Sequence, residues 1–289
     1  YALLDEQGLG QQYSSGTEAL HAVEHALSQA VRDQSLDDVP LGAFLSGGVD
    51  SSLITAFMQA QSSRPIDTFT VGFDVAGYDE STHARAVAQH LGTRHHELRV
   101  SGQHALNTVP LLASMYCEPF ADSSQIPTHL VCQSAKQHAT VALSGDAGDE
   151  LFGGYNRYLW AGRVWNKARP LGRRGRNSLA WAIECLSPSA WDQLAASTRK
   201  VARVGEKMHK LADRIKNTNN IDDFYVSLIS EWRNPEILVK GYKPVSWSNS
   251  AKRIDDPIAR MMVNDALAYL PGDILVKVDR AAMAISLET

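Results

Sequence analysis

The chain has 289 residues, 44% of them hydrophobic, and its 28 Lys and Arg against 32 Asp and Glu leave a net charge of −4. That length buries a large core, enough for one sizeable α/β unit and a helical part, and a charge so near balance argues little by itself. No apolar stretch approaches the roughly 18 residues of a membrane span, and no basic segment followed by an apolar one opens the chain. Neither a spanning helix nor a signal peptide is therefore expected.

In chain order, the first predicted element is a helix over 18–32, where Leu20, Val23, Ala26, Leu27, Ala30 and Val31 recur at helical intervals. A short apolar run over 40–45 reads as a buried parallel strand and leads into a helix over 51–61. A strand over 67–73, a helix over 80–91 stopped by Gly92, and a strand over 94–99 come next. Helices near 103–116 and 124–138 and a strand over 139–143 follow. Such alternation predicts a doubly wound parallel sheet with right-handed crossovers and ligands at the carboxyl ends of its strands. From Leu151 onward helical spacing dominates, with Pro170, Gly172, Pro188 and Gly205 as breakers.

Charge is unevenly spread. Residues 1–160 carry 18 Asp and Glu and 7 Lys and Arg, whereas 163–216 carry 13 Lys and Arg and 4 Asp and Glu. A stretch such as Arg173-Arg174-Gly175-Arg176 reads as a solvated helical face, the alternative being a patch for an acidic partner, RNA or a lipid surface. No nucleic-acid partner is expected. Cys117, Cys132 and Cys185 form no C-x-x-C pair and read as reduced, semi-buried residues of a cytoplasmic protein. His95 and His96 are adjacent on a predicted strand and so face opposite ways, which argues against one metal holding both.

Two motifs carry chemistry. Phe44-Leu45-Ser46-Gly47-Gly48-Val49-Asp50-Ser51-Ser52 places a glycine turn, hydroxyls and a carboxylate between a strand and the start of a helix. Unpaired N–H groups and the helix dipole favour an anion there, and Gly47 and Gly48 let the backbone approach it. The loop lacks the Lys of a Walker-type sequence and has Asp50 instead. A carboxylate beside phosphate calls for a cation between them, and Mg²⁺ bridging Asp50 and phosphate oxygens is the economical choice. The plain alternative is a capped helix after a tight turn. The second motif, Ser144-Gly145-Asp146-Ala147-Gly148-Asp149-Glu150-Leu151-Phe152-Gly153-Gly154-Tyr155, follows the strand 139–143 and sets three carboxylates within five residues. It reads as a metal or substrate site at the same sheet edge, or else as a solvated acidic turn.

The first motif resembles the pyrophosphate loop of the PP-loop ATP pyrophosphatases, and the second resembles its counterpart in the glutamine-dependent asparagine synthetases. Phe69-Thr70-Val71-Gly72-Phe73, Glu118 to Thr128 and Val276-Lys277-Val278-Asp279-Arg280 agree with that likeness, which covers most of 15–160 and returns at 265–289. No motif is placed over 161–250. The resemblance implies that Leu45 and Val71 frame an adenine through backbone groups and that Ser144 and Gly145 contact the nucleotide. It assigns the pyrophosphate to Ser46, Gly47, Gly48, Asp50 and Ser51, Mg²⁺ to Asp50 and Asp149, and acyl-adenylate formation to Asp146. Best-known bacterial members have Glu where Asp146 stands, so this carboxylate reaches one methylene less far.

What the resemblance implies is a two-step reaction with ATP and Mg²⁺. A carboxylate, foremost the side chain of aspartate, displaces pyrophosphate from ATP, and ammonia then displaces AMP to give the amide. Asp146 either positions the acceptor or takes a proton from the attacking ammonium. Two other readings stand beside asparagine synthesis: the same chemistry on a polysaccharide uronic acid or a peptide carboxylate, and a non-catalytic nucleotide-binding module. The expected organisation is a linker remnant of a missing N-terminal glutaminase domain over 1–16, a PP-loop α/β core over 17–160, and a mainly helical remainder over 161–289 truncated at its C-terminus. Ammonia would come from the missing glutaminase, and a homodimer is compatible with the likeness. Lys277 precedes the segment in which relatives carry a substrate-pocket Lys and is not given that role.

Overall fold

The computed structural model describes residues 13–35, 39–73, 79–195, 203–230, 232, 235–242 and 254–289, so of the segment 1–16 only 13–16 falls within it. The chain forms two compact units, one running through Asp149 and taking in Ala266–Thr289, the other Glu150–Asp265. The sequence reading sets its boundary at 160, whereas compactness divides the chain at Asp149 and Asp265.

The first unit is built on a four-stranded sheet of order β3-β2-β1-β4, with every pairing parallel. Its strands are β1 (Leu41–Phe44), β2 (Asp67–Phe73), β3 (Arg94–Val100) and β4 (Val141–Leu143). Helices α1 (Gly16–Gln34), α2 (Val49–Gln61), α3 (Ser81–Leu91), α4 (Gly102–Met115) and α5 (Gln125–Lys136) alternate with them. The predicted order of elements is therefore the observed one. The apolar residues of these strands are covered by the helices: Ala43, Phe69 and Ala142 have no exposed surface. α1 starts where Ser15 accepts the Glu18 N–H at 3.2 Å, and α3 ends at Gly92, whose φ of 73° suits a residue without Cβ.

The order of strands matters for the site. β2 and β3 lie to one side of β1 and β4 to the other, with Leu41, Gly42 and Ala43 in register with Val141, Ala142 and Leu143. The chain winds away from β1 in both directions, which leaves a crevice at the carboxyl ends of β1 and β4. The outer edge of β4 is paired as well: Glu288 donates its N–H to the Thr140 carbonyl and accepts from Ala142 N–H, both at 2.9 Å. Helix α14 (Leu275–Met283) precedes it, entered through a π-helical stretch, Asp265–Ile274, that contains Pro271. No strand signal in the sequence marks Glu288.

The second unit is helical. α7 (Asn156–Ala168), α8 (Gly172–Glu184), α9 (Pro188–Ala195), α10 (Val204–Ile215), α11 (Ile221–Ile229), α12 (Pro235–Leu238) and α13 (Pro257–Asn264) follow α6 (Gly148–Phe152), which spans the division. Tyr158, Trp165, Phe224, Tyr225 and Met261 form its core. Three sequence expectations need correction here. Gly205 does not break a helix but lies in the first turn of α10, where a Cβ would collide with the Pro188 carbonyl oxygen. Arg176 does not belong to a solvated face: it is buried, donates to the Thr218 carbonyl at 2.6 Å and lies over the Trp165 ring at 4.9 Å. Nor are the cysteines uniformly semi-buried, since Cys132 is buried and Cys117 and Cys185 are exposed. His95 and His96 take separate partners on β2, Thr68 and Asp67. Among the described residues no helix is long and apolar enough to cross a membrane.

Candidate nucleotide site

The carboxyl end of β1 runs into the Ser46–Ser51 turn and α2. Leu45 is buried against Ala84 and Ala88, and its N–H is held by the Phe69 carbonyl at 2.9 Å, which fixes where the turn begins. The turn is then shaped by serines. Ser46 Oγ accepts the Gly48 N–H at 3.2 Å and lies 2.9 Å from Ser51 Oγ, which in turn accepts the Ser46 N–H at 3.2 Å. Gly47 has a φ of 83°, and a Cβ there would lie 2.6 Å from the Ala84 nitrogen, so both conformation and space demand glycine.

The second loop leaves β4 and lies directly on the first. A Cβ on Gly145 would come within 2.7 Å of the Ser51 nitrogen, and one on Gly148 within 2.5 Å of Asp50 Cγ. Backbone is thus in contact with backbone at the first glycine and with a carboxylate at the second. Between them Ala147 holds a φ of 76°, a conformation that costs a non-glycine residue about 1 kcal/mol or more and clusters at functional sites. Ser144 Oγ steadies the loop by accepting the Asp146 N–H at 3.4 Å.

The two loops bound a cavity of about 310 Å³. Of the residues singled out in the sequence, Ser46, Gly48, Asp50, Ser51, Ser144, Gly145 and Asp146 line it together. Leu45, Gly47, Val71 and Asp149 do not: Leu45 and Gly47 shape the turn from behind, and Val71 lies within β2. Asp149 nevertheless acts on the site, because burial first and its charge second raise the Asp50 carboxyl above the usual range. Two acids that repel each other in this way are suited to share a divalent cation.

The cavity has a further wall, built from two stretches that carry the family likeness but were given no site role from sequence. Ser124 and Thr128 from the start of α5 and Lys277 and Val278 from α14 face it. Lys277 Nζ donates to Asp122 Oδ2 at 2.9 Å, while Asp122 Oδ1 accepts Ser124 N–H at 2.8 Å and Ser124 Oγ–H at 2.7 Å. Burial alone would push the Asp122 carboxyl up, but the bonds from Lys277 and Ser124 outweigh it and the net shift is downward. Asp122 and Lys277 belong to two of the stretches that carry the family likeness, yet 155 residues separate them, and only packing shows that they meet.

A family model described as asparagine synthase matches residues 22–289. The chain shares 32% identity over 270 residues with asparagine synthetase [glutamine-hydrolyzing] 1 of Bacillus subtilis, covering 92% of this chain and 40% of that protein. It shares 32% over 151 residues with asparagine synthetase B [glutamine-hydrolyzing] of Escherichia coli, covering 46% of this chain and 26% of that one. With asparagine synthetase [glutamine-hydrolyzing] 3 of Arabidopsis thaliana it shares 29% over 192 residues, covering 57% and 32%. The chain spans about two fifths of the length of the first of these relatives. A profile match over nearly the whole chain, on a parallel sheet whose two loops meet at its switch point, establishes that the chain belongs to the asparagine synthase family.

Proposed function

We propose that the chain is the ATP-using part of an amide-forming ligase that activates a carboxylate as its adenylate and delivers it to ammonia, with aspartate as acceptor and asparagine as product. The observation that carries this reading is the contact of the Gly145–Gly148 loop with the Ser46–Ser51 turn around one cavity. The Ser46–Ser51 turn, with the amino end of α2 behind it, offers N–H groups and hydroxyls to a pyrophosphate. Asp50 and Asp149 are the residues that would hold Mg²⁺, which when bound neutralises phosphate charge. Ser144 and Gly145 face the nucleotide, and Leu45 and Val71 present backbone groups to the adenine. Asp146, exposed at the mouth, positions the acceptor or takes a proton from the incoming ammonium. No protein nucleophile is needed, because the barrier falls through positioning and charge neutralisation. Ammonia arrives from a glutaminase part such as the relatives' names imply, and the reaction belongs in the cytoplasm.

The test is release of pyrophosphate from ATP by the complete enzyme, dependent on aspartate, with labelled asparagine formed when ammonia is present. Asp50→Asn is expected to abolish both. Undiminished pyrophosphate release in that variant overturns the assignment of Asp50, and pyrophosphate without asparagine shifts the acceptor to another acid.

A further inference from the structure

Lys277 is the one basic side chain among the described residues lining the nucleotide cavity, which Asp50 and Asp146 also line and which is read as holding a triphosphate and an acid. It is anchored at both ends. Tyr116 Oη–H donates to its backbone carbonyl at 3.2 Å, and its Nζ lies 2.9 Å from Asp122 Oδ2. Asp122 is itself fixed by both donors of Ser124 through its other oxygen. An ammonium has three N–H groups, and Asp122 accepts one of them. The pair is largely enclosed, with side chains 11% and 21% exposed. One turn earlier on the same helical run, Asp273 has a buried Oδ1 without a hydrogen-bond partner among the described residues. Enclosed acids thus outnumber the enclosed cation, although an ion pair in such a place adds little stability over apolar packing of the same shape.

We infer that Lys277 is the residue that receives an anionic oxygen of the bound reactants, a phosphate oxygen of the nucleotide or a carboxylate oxygen of the acceptor, and that Asp122 positions its ammonium for that contact. This rests on the nucleotide reading of the cavity. The charge balance favours it, because the other ionisable residues lining the cavity, Asp50 and Asp146, are acids and the incoming reactants are anions. An N–H group of Lys277 left over from Asp122 forms a charge-assisted bond to the reactant, the kind worth a ten- to hundredfold change in affinity, on the order of 1.5–3 kcal/mol.

The experiment compares Lys277→Arg, Lys277→Met and the double variant Lys277→Met/Asp122→Asn in the complete enzyme. Binding of a non-hydrolysable Mg–ATP analogue is followed by titration calorimetry and pyrophosphate release at varied ATP and aspartate. Lys277→Met is expected to weaken nucleotide binding or raise the aspartate KM by about 10–100-fold, the first outcome marking phosphate as the ligand and the second carboxylate. Lys277→Arg should recover most of the loss. The double variant leaves no unpaired acid at position 122, so it should fold with a melting temperature near that of the parent and stay as impaired as Lys277→Met. Parent-like kinetics in the double variant would make the pair structural and overturn the inference, as would variants that change only the melting temperature. If the parent itself binds no Mg–nucleotide, the proposed function falls and this inference with it. A parent that binds and turns over beside unimpaired variants sinks the inference alone.

Discussion

Asp50, placed at the proposed Mg²⁺ site, shows how a single carboxylate can work against the fold. Its carboxyl is raised by burial and by the Asp149 charge, so the folded state holds its proton more tightly than the unfolded chain does. The stability from such a group is complete below the unfolded carboxylate value and is lost as pH rises through the higher folded one. At neutral pH the ionised Asp50 therefore opposes folding. Asp50→Asn should melt at a higher temperature than the parent at pH 7 in the absence of nucleotide and cation, the gap closing as pH falls through the carboxylate range. Addition of Mg²⁺ and nucleotide should stabilise only the parent. Scanning calorimetry across pH checks both, and a variant that melts lower at every pH defeats the argument. The carboxylates and serines of both loops were legible from residue type and spacing, since loops after strands gather at one edge. Lys277 was not, because nothing local to a lysine says what it faces.

Among the elements, helices of the second unit show why a glycine in sequence is ambiguous. Gly205 looks like a stop signal, yet it is the point where the first turn of α10 meets the carbonyl of Pro188 at the start of α9. Gly162 lies within α7, and a Cβ added there would meet nothing within 4 Å. The two should respond oppositely to the same change. Gly205→Ala forces helices apart and is expected to cost about 1–3 kcal/mol, whereas Gly162→Ala gains helix propensity and should stabilise by about 0.5–1 kcal/mol. Denaturant midpoints decide it, and equal signs would show that the close approach at Gly205 is not limiting. Sequence periodicity placed the strands and helices of the first unit because their apolar patterns switch cleanly between periods of two and 3.6. Close contacts between helices leave no such pattern.

Over the molecule as a whole, each compact unit has its own means of cohesion. The first is a sheet covered by helices, and the second closes around a buried polar cluster. Asp265 has no exposed surface, accepts Tyr158 Oη–H and Tyr225 Oη–H at 2.6 Å on separate oxygens, and pairs with Arg157 Nη2 at 2.9 Å. Burial first, and then Asp265 itself, push both tyrosine hydroxyls far above their ordinary range. Removing the acceptor takes a shared charged partner from two phenols and a guanidinium in a buried place, so Asp265→Ala should destabilise the second unit by about 3–5 kcal/mol, read from the denaturant midpoint. A loss under about 1 kcal/mol would mean the cluster is not what holds these helices. By itself the sequence determined the alternating elements, the parallel sheet and the two loops that carry serines, glycines and acids, since these depend on residues near one another in the chain. Only the tertiary structure decided that Gly145 and Gly148 rest on Ser51 and Asp50, that Glu288 closes the edge of β4, and that Lys277 meets Asp122. Those contacts join residues far apart in the chain, and their partners are chosen by packing, for which no local pattern exists.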